Sequence, residues 1–125
     1  MPDHVDSHHN THFLPRINTY ITLFCQKNNI PVRGQTNYIE SFYGIPSIKS
    51  LSIDNLINIL RNLPEGISEL VCHPGFANTD LKSKYSRERE LELKTLTSQE
   101  IIHEIDRLKI KLINWNDFNK KKSIT

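Results

Sequence analysis

The sequence predicts an α/β chain of about four mainly parallel strands with flanking helices, about half of an eight-stranded (β/α) barrel. Three observations carry that reading. Short β-type runs alternate with stretches of helical apolar spacing along the chain. Strands separated by helices are joined by right-handed crossovers and therefore pair in parallel. With 125 residues the chain is one domain or part of one, against the ~250 residues of a full barrel.

The elements follow in order. Residues from about His4 to Leu14 are extended in character and end at Pro15. Ile17, Tyr20, Ile21 and Phe24 recur at helical spacing, which predicts a helix to about Lys27, broken by Asn28-Asn29. Ile30-Pro31-Val32-Arg33 reads as a short strand, and residues 34–50, with Gly44 and Pro46, as irregular. Ser52 caps a helix whose apolar face is Ile53, Leu56, Ile57, Leu60 and Leu63, and Pro64-Glu65-Gly66 stops it. Ile67 to Cys72 reads as a strand, followed at once by His73-Pro74-Gly75. Thr97-Ser98-Gln99-Glu100 has the form of a capping box, with Thr97 as the cap, before a helix burying Ile101, Ile105 and Leu108. Lys111 to Trp115 is the predicted last strand, and the lysine-rich end reads as a frayed tail. No repeat or Ser/Gly linker divides the chain, so the expected organisation is one unit over 1–119 with a basic tail at 120–125.

Composition narrows the function classes. Sixteen Lys and Arg against fourteen Asp and Glu give a net charge of +2, too near neutrality to suggest a nucleic-acid partner. No apolar run approaches the ~20 residues of a membrane span, and the polar first twelve residues hold no secretory core, so neither membrane nor export is expected. Two cysteines, Cys25 and Cys72, are too few for a disulfide scaffold and fit reduced thiols in the cytoplasm.

Two segments stand out chemically. Four of the six histidines fall in the first twelve residues, interleaved with other types, unlike an affinity tag. If residues 4–12 are a strand, His4, Asp6, His8, Asn10 and His12 share one face. Imidazoles beside a carboxylate are poor core material but suit a divalent metal, the carboxylate orienting a ring through its second nitrogen. The alternative is a solvated edge. The second segment, Glu69-Leu70-Val71-Cys72-His73-Pro74-Gly75, ends a strand in His73, at the rim where α/β proteins gather reacting groups. Such an imidazole can act as general acid or base, or merely occupy a turn. Arg33 likewise ends a strand and can face an anionic group, while the alternating charges of Tyr85 to Leu93 read as a solvated helix face.

Together and in this order, the segments resemble the YdjC-like carbohydrate deacetylase family, which includes chitooligosaccharide deacetylases. The residues that carry the resemblance are His4 to His12, Ile30 to Arg33, Leu63 to Gly66 and Glu69 to Gly75. Tyr85, Arg89-Glu90, Glu92-Leu93, Leu96-Thr97 and the stretch before Asn114-Trp115 complete them. The resemblance spans nearly the whole chain but only the carboxyl-terminal half of that family.

The resemblance implies a partial, irregular (β/α) barrel and a divalent metal, Mg or Zn, used to hydrolyse the N-acetyl group of an amino sugar or oligosaccharide. It implies His8 as the last metal ligand and His12 and His73 as catalytic histidines, His73 protonating the leaving amine. Asp6, Arg33 and Asn10 are implied to bind substrate or support the site. Family members have His where this chain has Asn10, which donates a hydrogen bond but is a poor ligand. The family's Asp-Asp pair and first metal His have no counterpart here, and one ligand cannot hold an ion needing about three. The chain is therefore expected to be inactive alone, and to be complemented by a separately encoded amino-terminal half or to associate with itself, since half a barrel exposes sheet edges. Two other readings are a non-catalytic sugar- or partner-binding remnant of the scaffold and a metal hydrolase of the amidohydrolase kind. The latter wants a His-x-His alternation that Asn10 spoils.

Overall fold

The computed structural model describes residues 2–43, 47–77 and 84–122. The chain forms two compact units, residues 1–36 with 112–125 and residues 37–111.

In the first unit Val5 and Val32 form a parallel bridge, the Val5 N–H donating to the Pro31 carbonyl (2.9 Å) and the Arg33 N–H to the Val5 carbonyl (3.0 Å). The two segments expected as strands here do meet in parallel, but through that single bridge. The expected strand over residues 4–12 ends there: His8–Phe13 is a 3-10 turn, with His9 (φ 54°) and Asn10 (φ 53°) in the left-handed region. Asn tolerates that region through local hydrogen bonding, and two such residues in a row cannot continue a strand. The alternation expected to put His4, Asp6, His8, Asn10 and His12 on one face is thus lost after Ser7.

Helix α1, Pro15–Asn28, begins on a proline whose missing N–H needs no partner, and ends at left-handed Asn29, the Ile30 N–H reaching back to the Cys25 carbonyl at 2.9 Å. Cys25, Ile30 and Val32 are buried, whereas Ile17, Tyr20 and Phe24 are exposed. Gly34 has φ +85°, and a Cβ built there would lie 2.5 Å from Cζ of Phe13, so only glycine lets that ring close over the backbone.

Residues 111–114 of the segment expected as the last strand, Lys111 to Trp115, carry no regular structure, and Trp115 opens helix α5, Trp115–Lys122. The cause is a reciprocal cap: the Asp117 N–H donates to Asn114 Oδ1 (3.0 Å) and the Asn114 N–H to Asp117 Oδ2 (3.3 Å). Trp115 stacks on His4 at 4.9 Å, and the Asn119 amide donates to the Asp3 carbonyl.

The second unit holds a two-stranded parallel sheet, β1 (Asn37–Ile39) with β2 (Ser68–Leu70), in the register Asn37 to Ser68. β2 lies within the expected 67–72 strand, whereas β1 falls in the stretch expected to be irregular. The α/β class and parallel pairing therefore stand, but the described residues form one two-stranded sheet and one bridge, short of about four strands.

Helix α2, Ile53–Arg61, starts as expected on Ser52, whose hydroxyl accepts the Asn55 N–H at 3.2 Å. Helix α3 is Ser86–Leu96, and α4 is Gln99–Arg107. The α4 cap is Ser98 and not Thr97: Ser98 accepts the Ile101 N–H (3.3 Å), while the Thr97 hydroxyl donates back to the Leu93 carbonyl (2.7 Å) and closes α3. Phe42, Leu51, Leu56 and Ile101 form the buried core, flanked by Ile57, Leu60, Leu91 and Ile105. Burying one such side chain contributes roughly 1.5–3 kcal/mol. No described helix is long and apolar enough to cross a membrane.

Candidate functional site

The bridge at Val5 and Val32 sets the geometry of the residues that follow each of them. Asp6 and Arg33 emerge together, with Arg33 Nη1 3.2 Å from Asp6 Oδ2. The other Asp6 oxygen accepts the Ser7 N–H at 2.6 Å, so Asp6 ties the arginine to the start of the 3-10 turn. Arg33 thus meets an anionic group, the Asp6 carboxylate, distant in sequence and brought beside it by the Val5–Val32 bridge.

The turn then separates the histidines by environment. His8 is exposed, its ring 3.9 Å from that of His9, and Asn10 is half-buried. His4 is engaged by the Trp115 stack and by Asp3 Oδ1 at 2.8 Å, a hydrogen bond that lowers the Asp3 carboxyl below its ordinary value. His12 alone is fully enclosed, at 1% exposure. Its Nδ1 lies 2.6 Å from Ser7 Oγ, its own N–H donates to that oxygen (3.0 Å), and Asn18 donates to its carbonyl (3.1 Å). Its Nε2 is buried without a hydrogen-bond partner. An unfilled buried polar atom is costly unless a ligand completes it.

In the second unit β2 ends at Leu70, two residues earlier than the expected strand, and His73 follows after Val71 and Cys72. Its backbone N–H donates to Glu92 Oε2, and Tyr85 Oη donates to Glu92 Oε1 at 2.5 Å. The His73 ring lies 5.4 Å from the Tyr43 ring and 6.0 Å from that of Tyr85, and its Nδ1 is buried without a partner. The Gly75 N–H donates to the Arg89 carbonyl, which lays the His-Pro-Gly turn along α3.

Glu92 corrects the reading of Tyr85 to Leu93 as a solvated face, because it is 0% exposed. A carboxylate is buried there because two donors converge on it. Tyr85, Glu92 and Ser7 are supporting residues that carried the family resemblance but were assigned no site role from the sequence. Tyr85 and Glu92 do carry a signal: seven residues apart, they fall two helical turns from each other.

A divalent metal needs about three protein ligands, and among the described residues no three His, Cys, Asp or Glu side chains gather to hold one. The described residues do not fit a complete metal site by themselves. What they do offer is hydrogen-bonding and proton-transfer chemistry: an imidazole edge at His12, another at His73, and an Asp6–Arg33 pair.

Comparison with known proteins gives these features a context. A family model described as YdjC-like protein matches residues 1–107. The chain is 31% identical to a carbohydrate deacetylase of Clostridium beijerinckii, aligning 94% of itself to 54% of that protein. It is 30% identical to a chitooligosaccharide deacetylase of Yersinia enterocolitica, over 93% of this chain and 53% of the relative. A crystal structure from Enterococcus faecalis V583, whose protein is provisionally described as a cellobiose-phosphate cleavage protein, superposes with a TM-score of 0.78 at 28% identity, over 94% of this chain and 53% of that one. The chain spans about half the length of these relatives. A family match over residues 1–107, carried by a similar fold and by relatives aligned along nearly the whole chain, shows that the chain belongs to the YdjC-like family.

Proposed function

We propose that this chain supplies part of the active site of a carbohydrate deacetylase, which hydrolyses the N-acetyl group of an amino sugar or chitooligosaccharide. The observation that carries the reading is His12: a fully buried imidazole with an unfilled Nε2, in a segment that resembles the family's. The names of the relatives supply the substrate class.

Amide hydrolysis needs a hydrogen-bond donor where charge develops on the carbonyl oxygen, and a proton for the departing amine. His12 is proposed for the first role and His73 for the second. Glu92 and Tyr85 support the His73 backbone and ring, and Arg33 with Asp6 fixes the start of the His12 turn. A divalent ion, Mg or Zn, is proposed for the whole enzyme, with His8 as one ligand and the others from polypeptide equivalent to the part of the relatives this chain does not match. On this reading the chain is a portion of a (β/α) barrel and works in the cytoplasm.

The test is acetate release from N-acetylglucosamine oligomers with Mg or Zn, by this chain alone and after adding that complementary polypeptide. Acetate is expected only from the combination. Turnover by the isolated chain overturns its incompleteness. Sugar binding without turnover by the combination favours a non-catalytic binding module, a reading that the exposed apolar residues of α1 also suit as a partner surface.

A further inference from the structure

We propose that Ser7 is a positioning residue that holds His12 in the tautomer protonated at Nε2, so that His12 presents a buried N–H donor to a ligand oxygen and does not act as a metal ligand. The tautomer follows from counting protons and lone pairs around one oxygen. Ser7 Oγ has two neighbours within hydrogen-bond distance, the His12 backbone nitrogen at 3.0 Å and His12 Nδ1 at 2.6 Å. The backbone N–H can only donate, and it occupies a lone pair of Oγ. The hydroxyl proton then needs an acceptor, and Nδ1 is the one within reach. With Nδ1 accepting, the neutral ring carries its hydrogen on Nε2. The opposite tautomer drives two N–H groups onto Oγ and leaves the hydroxyl proton unspent.

The surroundings hold this arrangement still. Asp6 Oδ1 takes the Ser7 N–H at 2.6 Å, and Asn18 holds the His12 carbonyl at 3.1 Å. Nε2 is buried in a residue only 1% exposed and has no partner, so the N–H it carries lacks an acceptor. The chemistry that completes it is an uncharged or developing oxygen acceptor, such as an acetamide carbonyl. That ligand assignment rests on the deacetylase reading, whereas the tautomer does not.

The experiment is long-range proton–nitrogen correlation NMR on the chain labelled with 15N-histidine, at about pH 8 where imidazoles are neutral. The wild type is expected to show His12 hydrogen on Nε2, Ser7→Ala a mixture of both tautomers, and Ser7→Thr, which keeps the hydroxyl, the wild-type pattern. Added zinc is expected to leave the His12 Nε2 hydrogen in place. A wild-type ring protonated mainly at Nδ1, an Ser7→Ala spectrum like the wild type, or loss of the Nε2 hydrogen to zinc overturns the proposal. If Ser7→Ala does not fold, the wild-type and zinc spectra still decide. Acetate release plays no part in this measurement, so its outcome and that of the deacetylase test remain separable.

Discussion

Tyr85 and Glu92 meet inside the second unit, the tyrosine hydroxyl donating to Glu92 Oε1 at 2.5 Å while the other carboxylate oxygen accepts the His73 backbone N–H. One buried side chain therefore joins the start of α3 to His73, in the segment that follows β2. Removing it strands two donors at once. An unsatisfied buried donor costs about 1–3 kcal/mol, so Glu92→Ala is expected to destabilise the chain by about 2–5 kcal/mol. Tyr85→Phe, which leaves the carboxylate its backbone donor, is expected to cost about 1 kcal/mol. Glu92→Gln keeps an acceptor and falls between wild type and alanine. Urea unfolding of the three variants checks the order, and an alanine variant as stable as wild type contradicts this account of the burial.

Acid sensitivity is expected to run through Glu104 on α4. Arg107 bonds it through Nε (2.8 Å) and Nη2 (2.6 Å), and Arg61 of α2 adds Nε at 2.6 Å. These hydrogen bonds, Arg107's first, hold the Glu104 carboxyl at about 2, below its usual 4.5, and raise the Arg107 guanidinium in turn. A carboxyl depressed in the folded state adds stability that is present above the unfolded value and disappears as pH falls. The contribution is therefore full above about pH 4.5 and lost on the way down to about 2. Urea midpoints measured from pH 6 to pH 2 should fall more for wild type than for Glu104→Gln. Parallel curves for the two proteins contradict the assignment.

Much of this fold was legible because it depends on near neighbours in sequence. The helices at α1, α2 and α4 follow from apolar residues at 3.6-residue spacing, and the starts of α1 and α2 from Pro15 and Ser52. The His4 to Leu14 segment misled because alternating polar residues imitate a strand, while His9 and Asn10 turn left-handed. At the other end, Lys111 to Trp115 read as a strand, yet Asn114 and Asp117 cap a helix that begins at Trp115. β1 has three residues and exists only because β2 lies beside it, a pairing that no local pattern encodes. For the site, Asp6, Arg33, His12 and His73 carried a chemical signal in their types and positions. The burial of Glu92 did not, since a charged helix reads alike whether a face is covered or wet. Ser7 was assigned no role because its importance lies in its distance to one ring nitrogen.

Gly34 gives a sharp test of the Phe13 packing. Its φ of +85° strains any L side chain, and an added methyl would lie 2.5 Å from Cζ and 2.7 Å from Cε1 of Phe13. Gly34→Ala is expected to cost about 1–3 kcal/mol, part from backbone strain and part from displacing the ring. In a Phe13→Ala background the ring is gone and only the strain remains, so the same substitution is expected to cost about 1 kcal/mol. Thermal unfolding of the four proteins in this cycle separates the two terms. Equal costs in both backgrounds show that the ring does not press on the turn.

The outward face of α1 should behave as surface, despite its composition. Ile17, Tyr20 and Phe24 lie within one narrow stripe of the helix, yet are 42%, 76% and 54% exposed. The residue that anchors α1 is Cys25, at 1% exposure, whose thiol burial pushes above its ordinary range and so keeps protonated. Replacing Ile17 and Phe24 together by serine removes only side chains that are about half buried, so stability is expected to fall by about 1–2 kcal/mol. Cys25→Ser places a hydroxyl where the thiol is enclosed, and is expected to cost about 1–3 kcal/mol. Exposed apolar stripes also promote self-association, so the double serine variant is expected to scatter less light than wild type at equal concentration. Urea midpoints for both variants, with light scattering over a concentration series, read the two effects apart. A double serine variant that loses several kcal/mol shows that the stripe is packed in solution, and the exposure of α1 is then wrong.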